Sequence, residues 1–310
     1  MRQEVVIGGQ AVIEGVMMRD ARNRAVAVRQ PDQRIVIDQA PIYFWTSRWR
    51  FRRLPLVRGM FALIEALVLG LQALSFSANA ALQDEEEKIS SREIGITLVV
   101  GIVLGLGIFV VAPTYLVRFV QSGIESPLLL NIIEGFFRQA VLLGYLLLIG
   151  RLGEMQRVLQ YHGAEHKAVN CLEAGEPLTV ETVRRHSRFH PRCGTSFLLL
   201  VVLIKVLLYT FFGWPVLWQR ILLRLALLPV VAGAAYELIR LAARHRNRLT
   251  ALITAPGVWL QHLTTREPDD DQIEVALAAL SSLPKEGDAE GSRVVEIQAG
   301  TVGGLGVEKR

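Results

Sequence analysis

At 310 residues, 51% of them hydrophobic, and with a mean hydropathy of +0.35, the chain is too apolar for an ordinary pair of soluble domains and reads as a membrane protein. Its net charge is only +5, and the basic residues gather beside apolar stretches, which speaks for membrane topology and against nucleic-acid binding. Two cysteines cannot build a disulfide framework, so both read as thiols or metal ligands on the reducing side of the membrane. Met1–Ile7 lacks the apolar h-region of a cleavable signal, so insertion is expected through internal segments.

Residues 1–54 are expected to form a small β-rich cytoplasmic part. Residues 1 to about 42 alternate apolar and polar in short runs, as in Ala25–Arg29 and Arg34–Asp38 with Gln30-Pro31-Asp32-Gln33 between them, a hairpin signal around a Pro-Asp turn. Ahead of it, in Gly8–Arg19, paired glycines suggest a turn or a close backbone approach. Glu14, alone among apolar neighbours there, is either an exposed strand residue or a carboxylate directed into a site. Between Trp45 and Arg58, five arginines alternate with Trp45, Trp49 and Phe51, a composition suited to the headgroup layer of an anionic leaflet. The apolar helix at 55–79 is long enough to span, but spanning would carry those arginines across. It is therefore assigned to the interface or to packing against the bundle, with Asp84–Glu87 in a solvated connector ending at 93.

A first transmembrane hairpin is expected over 94–150. Ile94 to Val117 is 24 residues without a charge, about 36 Å of helix and enough for one crossing. A second span from about 128 to 150 carries Glu134 and Arg138 one turn apart, either as a structural ion pair or as part of a polar path. A second hairpin, 196–248, holds a span at 196–213 with Lys205 and another at 215–236 with Arg220 and Arg224, turning at Gly213-Trp214-Pro215. Lys and Arg number seven in 151–195 and four in 240–248, against none in the loops 121–127 and 213–216. The positive-inside rule then places both termini and the 151–195 loop in the cytoplasm. Residues 249–284 give a short apolar stretch broken by Pro256-Gly257, followed by a helix capped within Thr265–Asp271 and running through Leu280. Residues 285–310 have the composition of a disordered tail. The fold class is thus a mainly α integral membrane protein of the bacterial inner membrane, with about four transmembrane helices, an interfacial helix and a β-rich N-terminal part.

The chemistry concentrates in 151–195. Four of the six histidines and both cysteines lie between His162 and Cys193. His162-Gly163-Ala164-Glu165-His166 has the form H-x-x-E-H, which sets two imidazoles on adjacent turns of one helical face with a glutamate beside them. His190 and Cys193 add two ligands of the type zinc prefers. All four could close a tetrahedral structural site, or three could hold a metal and leave a position open, with Glu165 as general base. Cys171 and His186 are reserve ligands. A straight helix from Gly150 would carry His162 about 18 Å from the membrane, so the halves meet only if the chain bends, and Gly150 and Gly153 are where it could. Lys167 and Arg192 are candidates for binding an anionic substrate or a lipid headgroup.

Gly8–Arg19, Tyr161–Lys167 and His190–Phe197 together resemble the signatures of the YqhQ-like family, with Arg58-Gly59, Glu134, Arg138 and Arg157 also at family positions. The similarity runs from about residue 3 to 280. That bacterial membrane-protein family is of unknown function and is often labelled as predicted metal-dependent enzymes. The resemblance implies an integral membrane protein and singles out His162, Glu165, His166, His190 and Cys193, with His186 outside the motif. The functional expectation is a zinc-dependent hydrolase at the cytoplasmic face. The alternatives are a scaffold or assembly factor with a membrane-protein partner and a structural metal or polar cluster, and, more remotely, a transporter using Glu134, Arg138 and Lys205.

Overall fold

Short apolar runs separated by turn residues fold into an antiparallel meander of β1 (Gly8–Val12), β2 (Gly15–Arg19), β3 (Asn23–Arg29) and β4 (Ile35–Pro41), with β5 (Arg293–Ile297) added beyond β4. The computed structural model describes residues 7–43, 49, 54–82, 90–244, 248–284 and 293–297. Most of the arginine- and aromatic-rich stretch from Trp45 to Arg53, the acidic run Asp84–Glu87 and most of the tail beyond 284 lie outside the described residues. The turn at Pro31-Asp32 joins β3 to β4 as the sequence indicates. There the Gln30 N–H donates to the Arg34 carbonyl at 2.8 Å, and Gln33 takes a positive φ of 71°. Within the tail, residues 293–297 pair with β4, Val295 standing opposite Ile37. The β-forming Val294, Val295 and Ile297 cover what would otherwise be an open strand edge.

Both faces of the β2–β4 part of this sheet are covered. Val16, Met18, Ala25, Ala27, Ile35 and Ile37 pack against α5 (Gly153–Ala174), α6 (Val180–Arg185) and α10 (Asp270–Ser281). Val12, Met17, Val26 and Val28 pack on Leu69 and Ala73 of α1 (Val57–Ala80). Successive strand residues point to opposite faces, so burial on both sides explains why Ala25–Val28 and Ile35–Ile37 are apolar at every position. One core thereby joins three parts of the chain that the sequence separates: the N-terminal part, the 151–195 loop and the C-terminal helix.

The long apolar helices start where capping residues allow. Ser90 and Glu93 form a capping box for α2 (Ser91–Leu106), and the run continues through a π-helical turn at Gly107–Val111 into α3 (Ala112–Leu116). Pro113 sits just past that turn, where its missing N–H interrupts the regular ladder. The Ser126 hydroxyl accepts from Leu129 N–H ahead of Pro127, which opens α4 (Pro127–Ile149). Next in the chain are α7 (Thr195–Thr210), α8 (Leu217–Arg244) and α9 (Arg248–Thr264). α9 is one helix through Pro256-Gly257, which corrects the break expected there.

Four helices among the described residues are long and apolar enough to cross a membrane: Val57–Ala80, Arg92–Phe119, Pro127–Ile149 and Leu217–Leu241. Three of them coincide with expected spans. The fourth is α1, in place of the segment 196–213, whose helix α7 has 16 residues, about 24 Å against a hydrocarbon core of about 30 Å. The C-terminal half of α1 lies under the sheet, and its N-terminal half crosses α8 closely. A Cβ at Gly59 would fall 2.7 Å from Tyr236 Cβ, and one at Gly233 would fall 2.3 Å from the Leu56 carbonyl oxygen. Arg58 and Glu237 form a two-pronged ion pair beside this crossing.

Because backbone stands in the way, Gly233→Ala should force the two helices apart and cost about 1–3 kcal/mol. Thermal unfolding in mild detergent measures this, and an unchanged midpoint would mean that α1 and α8 are not in close contact.

Candidate metal centre

α4 ends at Ile149 with Gly150 as its cap, and α5 begins anew at Gly153, so the chain bends where the sequence indicated. Arg266 holds the corner, its guanidinium donating to the Gly150 carbonyl at 2.7 Å. Although α5 is rich in polar residues, it is buried from several sides. Tyr161, Ala164, Ala168 and Cys171 enter the core shared with the sheet. Two glycines admit close neighbours: a Cβ at Gly163 would fall 2.0 Å from the Arg266 carbonyl oxygen, and a Cβ at Gly9 on β1 would fall 2.6 Å from Glu165 Cγ. The close approach suggested by Gly8-Gly9 is therefore made to the glutamate of the H-x-x-E-H motif.

His162, His166 and Cys193 bring one ligand atom each to within 4.8 Å of one another. Cys193 Sγ lies 3.3 Å from His162 Nε2, and the two imidazole centroids are 4.4 Å apart. His162 Nδ1 lies 2.7 Å from the Thr264 carbonyl and His166 Nδ1 2.6 Å from the Arg188 carbonyl. A carbonyl can only accept, so each Nδ1 carries the proton, and in the neutral ring each Nε2 keeps its lone pair. Such second partners also fix ring orientation in metal sites. Cys193 sits at the start of α7, where its sulfur accepts from Thr195 N–H at 3.5 Å. Two imidazoles and a sulfur are a donor set that suits zinc and disfavours magnesium or calcium.

Glu165 Oε2 stands 3.7 Å from His166 Nε2 and 3.9 Å from His162 Nε2. Burial pushes its carboxyl up to about 7, against the downward pull of His162 and of the Gly9 N–H that donates to it. A carboxylate beside the ligand nitrogens can accept a proton there or serve as a further ligand.

His190 is not brought into the trio. Its Nδ1 accepts from Arg192 N–H at 3.3 Å and its Nε2 faces Glu173 at 3.3 Å, while burial lowers it to about 4 despite that carboxylate. As a neutral ring with Nδ1 accepting, it donates from Nε2 to Glu173. Its backbone is pinned by Gln261, which accepts from His190 N–H and donates to the His190 carbonyl, both at 2.8 Å. Cys171 lies in the core near the end of α5, its thiol pushed up to about 11 by burial, and His186 pairs with Glu176 at 3.4 Å. Both reserve ligands are thus engaged elsewhere.

The expected anion binders are committed within the protein. Lys167 is buried, donates to the Arg184 carbonyl at 2.8 Å and pairs with Glu267, and Arg192 pairs with Glu173. Glu14 occupies the β1–β2 turn at a φ of 48° and pairs with Arg157, while the Tyr161 hydroxyl donates to it at 3.3 Å. It lines a cavity of about 390 Å³ with Arg29, Gln33, Asp269 and Asp271, apart from the His/Cys trio. Glu134 and Arg138 pair at 2.7 Å among the apolar helices. Sequence reasoning missed Gln261 and the carbonyls of Thr264 and Arg188. A lone glutamine in the apolar stretch 249–263 was a visible signal for the first, whereas a backbone carbonyl leaves none.

Fold and site together define a protein of long apolar helices that carries a two-histidine, one-cysteine cluster against a five-stranded sheet. The family model described as Protein of unknown function (DUF1385) matches residues 54–286, and the chain belongs to that family. It is similar to the Uncharacterized protein YqhQ of Bacillus subtilis (strain 168), with 35% identity over 290 residues, covering 89% of this chain and 91% of that protein. No solved structure matches significantly.

Gly163→Ala would drive a methyl group into the Arg266 carbonyl and lift the 264–268 linker off α5, taking the Thr264 carbonyl from His162. A loss of about 1–3 kcal/mol is expected, together with faster hydrogen exchange in 264–268. Wild-type exchange in that linker would refute the clamp.

Proposed function

We propose that the protein is a zinc-dependent hydrolase of the bacterial inner membrane, multi-pass, with both termini and the His/Cys centre on the cytoplasmic side. The observation that carries this reading is the convergence of His162 Nε2, His166 Nε2 and Cys193 Sγ within 4.8 Å, with Glu165 3.7 Å from the nearer nitrogen. Three protein ligands leave a position open, as catalytic zinc sites do. When bound, zinc would supply Lewis acidity to a reacting oxygen. On this reading Glu165 would take and return the proton of an attacking water at Oε2, supported by its position beside both Nε2 atoms, and the carbonyls of Thr264 and Arg188 would keep the two imidazoles in the ligand tautomer. With Lys167 and Arg192 in internal ion pairs, an anionic group of the substrate or of a lipid headgroup would have to displace Glu173 from Arg192, the more exposed of the two cations. The bilayer is the expected environment, and a nucleic-acid partner is not part of this reading.

A second reading, a scaffold or assembly factor with a structural metal, is favoured by one feature. The two imidazoles tie α5 to the 264–268 linker and to the loop before Cys193, which is what a structural clamp requires. On this reading a membrane protein is the partner, and loss of His162 would lower stability and partner recovery.

Elemental analysis of protein purified in mild detergent without chelator tests the centre. Near-stoichiometric zinc is expected in the wild type and in Glu165→Gln, and its loss in His166→Ala; absence of metal from the wild type would overturn both metal readings. In a screen of hydrolysable esters, amides and phosphoesters, Glu165→Gln should lower turnover by about 10²- to 10⁴-fold. Metal-replete wild type with no turnover in that screen would favour the clamp.

A further inference from the structure

At the opposite end of the long helices from the sheet, a second polar cluster is buried among apolar surroundings. Glu134 and Arg138 come from the first half of α4, Thr114 from α3, Lys205 and Tyr209 from α7, and Arg220 and Arg224 from the first turns of α8. Glu134 is already fully engaged: one oxygen accepts from Arg138 at 2.7 Å and lies 3.0 Å from the Thr114 hydroxyl, and the other accepts from Arg224. The Thr114 hydroxyl also accepts from Arg138 at 3.2 Å and from Arg224 at 2.6 Å.

Between α4, α7 and α8 lies a cavity of about 10 Å³, lined by Asn131, Glu134, Arg138, Lys205, Tyr209 and Arg224 among others, roughly the space of one water-sized sphere. Its lining holds three cations and one carboxylate. Arg138, 8% exposed, has an Nε with no hydrogen-bond partner among the described residues. The Tyr209 hydroxyl, 6% exposed, lies beside Arg138 without a well-formed bond. Guanidinium and ammonium groups only donate, and a tyrosine hydroxyl can donate. The cavity therefore presents spare donors around an excess of positive charge, while its one carboxylate is already taken. A further cation, Arg220, is stacked 3.9 Å over Trp214, with its Nε and Nη1 also unpartnered among the described residues.

We infer that this cavity binds a single small monovalent anion of the halide class, chloride in ordinary media, held by Lys205, Arg138 and Tyr209. A water molecule could satisfy the donors but would leave the charge excess uncompensated where desolvation makes it costly. Phosphate, sulfate and carboxylate ligands are several times larger than the cavity, whereas a single halide exceeds it only slightly and needs a small shift of the flexible Lys205 side chain. The site is separate from the His/Cys centre in position and in chemistry, so it stands whether or not a metal is bound there. Its role is to complete the packing of α4, α7 and α8.

The test uses the full chain in mild detergent, exchanged into sodium gluconate and titrated with sodium chloride or bromide at constant ionic strength. A saturable rise in Tm is expected with either halide, on the order of 5 °C at about 100 times the Kd, with no rise in sulfate. Lys205→Met, which keeps the side-chain length and removes a cation, should abolish the response. Equal Tm in chloride and gluconate, or an undiminished chloride response in Lys205→Met, would overturn the inference. Should Lys205→Met fail to fold, crystals of the wild type grown in bromide decide: an anomalous peak between Arg138, Lys205 and Tyr209 supports the site, and a cavity without anomalous signal excludes it.

Discussion

The close packing of α5 between β1 and the 264–268 linker is the constraint on which the rest of the structure depends. It is possible only because Gly9 and Gly163 have no side chain: a Cβ at either would lie within 2.6 Å of a neighbouring atom. On the β1 side, the approach puts the Gly9 N–H on Glu165. On the linker side, it puts the Thr264 carbonyl on His162. The helix that carries the chemistry is thus shaped by two backbone segments nearly 260 residues apart in sequence.

Burial of a polar helix is tolerable here because its polar groups are met by backbone. His162, His166 and Lys167 find the carbonyls of Thr264, Arg188 and Arg184, and Asn170 donates to those of Ser187 and Phe189. An unpaired buried polar group costs about 1–3 kcal/mol, so α5, the 184–190 segment and the linker depend on one another. The same network fixes imidazole tautomers, which makes it structural and chemical at once. Lys167 illustrates the point: charged and next to a histidine, it belongs to the scaffold of the site.

The long helices separate two centres of opposite character. At the sheet end, two imidazoles of α5 and the Cys193 sulfur at the start of α7 offer lone pairs toward a shared point. At the far end, α4, α7 and α8 offer donors and positive charge around one carboxylate. α4 connects them, holding Glu134 and Arg138 in its first half and ending at Gly150, where the bend into α5 begins.

What the sequence by itself determined was local or compositional. The crowding of histidine and cysteine into 162–193 marked the site, and the spacing of H-x-x-E-H put His162, Glu165 and His166 on one side of a helix. The Pro-Asp turn gave the β3–β4 hairpin, and Asp269 with Gln272 capped α10 as the acidic start suggested. Charge-free length identified Ile94–Val117, and apolar length interrupted by Glu134 and Arg138 identified α4, as able to cross a membrane. Tertiary structure alone decided where each candidate ligand faces: the His190 ring meets Glu173 and its backbone is pinned by Gln261, and both partners lie outside the motif. It also decided that β5 joins the sheet, that α1 divides its length between α8 and the sheet, and that Lys167 and Arg192 are held in internal pairs. The physical reason is that side-chain type and local spacing are written in neighbouring residues, whereas the direction a buried polar group faces is set by whichever distant donor or carbonyl satisfies it.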